Sequence, residues 1–209
     1  MHPNPIFRDT NAAQSLSLVR ERSFGTLAIN ADPIPLFAHI PFLLNDDASH
    51  VDLHLVRSNP IARALTSGTR GARLAVTGPD SYISPDWYEI EDQVPTWNYA
   101  AVHFTGQLEL QPMDTLHALL DRQSVHFENQ LLPKPPWTTG KMTPAIMEKM
   151  MLMIVPVRLH IDDMQSTWKL GQNKPEQART KAAKQVIANG LGVQTETLGK
   201  WMAKSPVTS

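Results

Sequence analysis

Alternation of apolar and polar positions organises the first half of the chain. FGTLAIN (24–30) and PLFAHIPFLL (35–44) carry the aliphatic and aromatic content of strands, and Ala31-Asp32-Pro33 between them supplies turn chemistry. HVDLHLV (50–56) alternates strictly, with Val51, Leu53 and Leu55 facing one way and Asp52, His54 and Val56 the other. ARLAVTG (72–78) reads as a further strand ended at Gly78-Pro79, because proline lacks the N–H that a ladder needs. TWNYAAVHFTGQLELQ (96–111) has the length of a long strand. MIVPVRLHID (153–162) alternates again, with Val155, Val157, Leu159 and Ile161 opposed to Arg158 and His160.

Helical spacing appears between these runs. AAQSLSLVRER (12–22) is a short amphipathic segment, and Asn59-Pro60 starts a helix that Gly68 closes. From Asp114 to Leu131, Leu116, Leu119, Leu120, Gln123 and Phe127 share one face. The proline-rich loop LLPKPPWTTGKMTP ends at Thr143-Pro144, a helix start. KPEQARTKAAKQVIANG is helical between Pro175 and Gly190. Strands interrupted by helices at irregular spacing predict an α+β fold, mainly an antiparallel β-barrel with peripheral helices and a C-terminal helix.

Composition narrows the class. With 209 residues, 42% hydrophobic and 19% charged, the chain is one globular domain or one domain with an appendage. It has no cysteine, which excludes a disulfide framework, a cysteine zinc site, an iron–sulfur cluster and a thiol nucleophile. No apolar run approaches the ~18 residues of a membrane span. MHPNPIFRDTN lacks the basic and apolar regions of a secretion signal, so a cytoplasmic location with no membrane partner is expected.

Charge is uneven. From Lys169 onward seven basic and two acidic residues give +5, so the first 168 residues carry −6. A basic tail on an acidic body suits an anionic partner or a solvated helix face. In KQVIANGLGVQTETLGKWM, Ala188, Gly192, Leu198 and Trp201 fall where a helix-turn-helix places its small, turn and core residues. DNA bound through the basic C-terminal region is one expectation; a terminal helical hairpin packed on the barrel is the other.

The chain has no G-x-S-x-G elbow, no GxxxxGK[ST] loop and no GxGxxG after a strand. No two histidines on a predicted helix stand at the i, i+4 spacing of a helical zinc site, so no metal is expected, and no acidic pair suggests general acid–base work. Three clusters remain. LHLVRSNP (53–60) delivers His54, Arg57, Ser58 and Asn59 to a helix start, which suits a phosphate or simply caps the helix. YISPDWY (82–88) and VPTWNY (94–99) set aromatic rings beside polar groups, as a planar-ligand wall, a subunit interface or a core corner would. WKLGQNK (168–174) adds a tryptophan, two cations and two amides.

In this order, FGTL, AHIPFLL, HLVRSNP, GPDSYISPDWY, VPTWNYAAVH and WKLGQNK resemble the PaiB-type FMN-binding negative transcriptional regulators, from about Pro3 to Leu191. The resemblance implies a split β-barrel similar to pyridoxamine-phosphate oxidases, forming a homodimer with FMN in grooves between the subunits. It places Ala38, His39, Ile40 and Pro41 beside the isoalloxazine ring. It assigns His54, Arg57, Ser58 and Asn59 to ribityl and phosphate, and Trp97, Asn98, Tyr99, Lys169 and Gln172 to closing the site from the partner subunit. It also implies an FMN-binding domain over 1–172 and a basic helical extension over 173–209.

Two departures bear on this. HLVRSNP stands where the family pattern reads HLARANP, retaining Arg57 and Asn59-Pro60. Gly171 stands where WKLSQN has a hydroxyl, a loss of roughly 0.5–1.5 kcal/mol if that hydroxyl meets the ligand. The functions implied are an FMN-binding homodimeric regulator or flavin-linked sensor, or alternatively a flavin-dependent oxidoreductase. A haem-handling barrel would use His39, His54 or His103.

Overall fold

The computed structural model describes residues 1–8 and 11–204. Six strands, β1 (Phe24–Ile29), β2 (Leu36–Leu44), β3 (His50–Val56), β4 (Arg70–Ile83), β5 (Thr96–Leu110) and β6 (Ile154–Lys169), close into a barrel in the order β1-β2-β3-β6-β5-β4. The described helices are α1 (Ala12–Arg22), α2 (Pro60–Ala64), α3 (Leu116–Glu128), α4 (Pro144–Met151), α5 (Glu176–Asn189) and α6 (Thr195–Ala203), with short 3-10 turns between elements. The expected α+β antiparallel barrel is the observed fold.

Two compact units divide the chain: residues 23–74 with 104–163, and residues 1–22 with 75–103 and 164 onward. In the first, antiparallel registers stack the alternating apolar positions into layers. Leu27 pairs with Ala38, Phe42 with Leu53, and Leu53 with Val157, all buried. The opposite positions of β3 face outward under α3: His50 is opposite His160, Asp52 opposite Arg158 and His54 opposite Pro156. Gly106 marks a close approach, since a Cβ there would fall 1.7 Å from the His160 carbonyl oxygen.

In the second unit, the residue of β6 before its final Lys169 is the buried Trp168, whose indole N–H donates to Ser15 Oγ of α1 at 3.0 Å. The Trp168 and Trp201 rings lie 4.8 Å apart, joining α6 to the same core. Helices α5 and α6 form the hairpin that the sequence allowed, with Ala182, Ala183, Val186, Leu198 and Met202 buried. The segment between them pairs with β4, where Tyr82 N–H donates to the Leu191 carbonyl.

Two strands outrun their expected limits. Strand β4 continues through Gly78-Pro79 to Ile83, and Pro79 is buried within it. Strand β6 runs to Lys169 rather than stopping at Asp162. Its polar continuation DDMQST breaks the apolar alternation on which the shorter limit rested.

Candidate functional site

In the unit built on β1, β2 and β3, strand alternation sorts the candidates along β2. Ala38 and Ile40 point into the barrel core, so a ligand on the outer face would meet only their main chain. His39 faces out with its Nδ1 3.0 Å from Thr26 Oγ1 on the neighbouring strand. Phe37 stands beside it, 65% exposed. The outer face of β1–β2 is therefore a flat aromatic and imidazole surface.

At the end of β3, Arg57 and Ser58 are exposed. The Arg57 Nε donates to the Leu152 carbonyl at 3.0 Å and its Nη2 to the Ile154 carbonyl at 3.4 Å. These bonds orient the guanidinium and leave Nη1 for another acceptor. The Asn59 side chain accepts from Ile61 N–H at 2.8 Å and caps α2, with Pro60 at the first helical position. Asn59 is thus occupied with the helix.

His54 turns toward α3. Its Nδ1 lies 2.9 Å from Gln123 Oε1, and burial lowers its pKa more than that hydrogen bond raises it, which keeps the ring neutral. Pro41 and His54 meet Gln123, Phe127 and Trp137 around one cleft. Sequence reading placed Gln123 on a helix face without a role. The available signal was one amide inside a stripe of Leu116, Leu119, Leu120 and Phe127.

The second unit holds the remaining candidates. Trp97 is half-exposed and meets Tyr82 edge-on, with centroids 6.3 Å apart. Tyr99 shares its outward side, whereas Asn98 is fully buried. The Asn98 amide makes a weak contact to Met202 Sδ at 3.6 Å, and its side chain also interacts with Tyr88. Gln172 is occupied by its own loop: its Oε1 accepts from Leu170 N–H at 2.7 Å and its amide donates to the Trp168 carbonyl.

Three cations gather on this unit. Lys169 donates to Thr96 Oγ1 and lies 5.9 Å from the Phe7 ring centroid. Desolvation, then the charge of Lys174, lowers its pKa. Lys174 donates to Gln93 and sits 5.5 Å above the Tyr88 ring. Arg179, which the motif reading did not select, is 5% exposed with its Nε unpartnered. Among the described residues no carboxylate pairs with Lys169, Lys174 or Arg179. Gly171 lies between Asn98 and Arg179 at φ +81°, a conformation that disfavours the serine of the family pattern.

FMN carries a phosphate and a hydrogen-bonding ring edge. The exposed, oriented Arg57 of the first unit suits a phosphate, and the second unit, taken by itself, offers cations without carboxylates to an electron-rich edge. The family described as "Putative FMN-binding domain" matches residues 1–163. The chain belongs to this family. FMN is its cofactor. Over 182 residues, 84% of each chain, it is 32% identical to the Protease synthase and sporulation protein PAI 2 of Bacillus subtilis (strain 168). Among solved structures, it is similar in fold to the FAD and heme binding protein from Mycobacterium smegmatis, with TM-score 0.58 and 18% identity, covering 89% of this chain and 82% of that one. The flavocytochrome Anf3 from Azotobacter vinelandii is similar with TM-score 0.54 and 12% identity, covering 80% and 72%. Among the described residues no helix is long and apolar enough to cross a membrane.

Proposed function

We propose that this chain is an FMN-binding homodimeric regulator of PaiB type, acting in the cytoplasm as a negative regulator or flavin-linked sensor. The observation that carries the reading is the set of desolvated cations with no carboxylate to match them, Lys169 and Arg179 above all. Leaving such charges unmatched is costly to the fold, which argues for an anion supplied from outside the chain.

In this reading Arg57 and Ser58 hold the phosphate, and the His39 side of β2 supports the ring, while Pro41 lines the cleft beside α3. The partner subunit closes the groove with Trp97 and Tyr99 at its mouth and Lys169 and Lys174 supplying positive charge. Asn59 and Gln172 act by fixing the helix start and the loop that carry these groups. Bound FMN supplies one- and two-electron redox chemistry; the protein supplies orientation, charge and exclusion of water.

The charge of the C-terminal region favours a sensor over direct DNA readout. Lys181 is paired with Glu89 and Lys200 with Glu196, while Lys169 and Lys174 are half-buried and Arg179 is buried. Among the described residues, DNA contact through this region would therefore rest on few unpaired exposed cations, chiefly Lys184 and Lys204.

The test is FMN titration followed by flavin fluorescence, with sedimentation velocity on the same samples. Saturable micromolar binding by a dimer, weakened roughly tenfold or more in Arg57→Ala, is expected. A monomer, or affinity unchanged in Arg57→Ala, would overturn the assignment. In a reporter strain, repression that does not respond to flavin depletion would remove the sensor role.

A further inference from the structure

A cleft of about 340 Å³ opens between α3 and the outward side of β2 and β3. Pro41, Phe127 and Trp137 give it flat apolar walls, and His54, Gln123 and Ser124 are its neutral polar groups. Glu128 also lines it, but that carboxylate is already engaged, by Lys134 and by the Trp137 backbone N–H at 2.7 Å, which ties the Trp137 segment over the cleft.

The polar pair carries the chemistry. Gln123 is 5% exposed and its Nε2 has no partner, an arrangement that is costly unless something completes it. With the His54 Nδ1–H donating to Gln123 Oε1, the groups left over are the Gln123 N–H as donor and His54 Nε2 as acceptor. If the amide is turned over, Gln123 Oε1 becomes the spare acceptor and His54 Nε2–H the spare donor. Either arrangement leaves one donor beside one acceptor. The ligand edge that satisfies both is a C(=O)–N–H edge.

We infer that this cleft binds a neutral planar nitrogen heterocycle of one or two rings through a lactam edge, at a site separate from that of FMN. No uncommitted cation lines the cleft, so an anionic ligand gains nothing there. The rings stack against Trp137, Phe127 and Pro41 while Gln123 and His54 read the lactam. The inference stands on the cleft alone and does not require the flavin reading.

The experiment is calorimetric titration of the full chain with quinolin-2-one, with and without saturating FMN. Submillimolar binding is expected, roughly tenfold weaker for N-methylquinolin-2-one, whose donor is blocked. Comparable losses are expected in Gln123→Leu and in the surface variant Trp137→Ala. No binding up to about 1 mM overturns the inference. So does equal binding of the N-methyl compound, or displacement of the probe by FMN. If Gln123→Leu fails to fold, the N-methyl comparison on the unaltered chain and Trp137→Ala still decide the matter.

Discussion

Asp52 and Arg179 are almost equally sealed from solvent, at 6% and 5% exposure, yet their surroundings are opposite. Asp52 receives Arg158 Nε at 2.7 Å, Arg158 Nη2 at 3.1 Å and Arg122 Nη2 at 2.9 Å. Burial pushes its pKa up, but these cations, Arg158 foremost, hold it below the usual carboxylate range. Arg179 has no such match, and neither does the desolvated Lys169. A compensated buried charge fastens elements together: Arg122 comes from α3 and Arg158 from β6. An uncompensated one is a cost that the fold alone does not explain. The first belongs to the scaffold; under the proposed function the second belongs to ligand binding.

The largest effect should come from breaking the compensated charge. Asp52→Ala leaves Arg158 unmatched under α3 and should cost about 3 kcal/mol in denaturant unfolding. A loss below measurement error would remove Asp52 from the scaffold. Because folding depresses this carboxyl's pKa, its contribution is complete above about pH 4 and is lost as pH falls through the folded-state value. Asp52→Asn should therefore flatten the acid limb of the stability profile.

Next, Gly171→Ser restores the family hydroxyl but forces φ +81° on an L-residue, and should cost about 1–2 kcal/mol without tightening FMN. Tighter FMN binding in that variant would show the hydroxyl matters more than the backbone. Smaller and opposite in sign, Arg179→Met should stabilise the flavin-free protein by about 1 kcal/mol while weakening FMN. A destabilised Arg179→Met would place this residue with the scaffold instead.

The smallest effect concerns His54. Its pKa is lowered on folding, so the neutral ring contributes stability above about pH 6.5 that falls away as pH drops through the folded value. Thermal melts across that window should lose this slope in His54→Gln. An unchanged slope would mean the ring is not held neutral.

Much of the barrel was legible because period-two alternation is dictated by burial on one face. Val51, Leu53 and Leu55 went inward as their spacing required. The limits of β4 and β6 were not, since a buried Pro79 and the polar DDMQST segment carry no apolar alternation. At the candidate site, residue types were legible and directions were not. Alternation separated His39 from Ala38 and Ile40, but Asn59 and Gln172 turned to local backbone bonds that compete with any ligand. Arg179 and Gln123 were given no role because an unpartnered nitrogen, Arg179 Nε or Gln123 Nε2, is a property of three-dimensional packing, invisible in a helix-forming string.

The most direct test compares FMN dissociation constants and unfolding midpoints for Lys169→Gln and Asp52→Asn against the unaltered chain. The account predicts that Lys169→Gln weakens FMN by roughly tenfold or more with its midpoint preserved, the size of one charge-assisted hydrogen bond. Asp52→Asn should lower the midpoint and leave FMN affinity of the folded protein unchanged. Unaltered FMN affinity in Lys169→Gln would contradict the claim that the unmatched cations mark the flavin site.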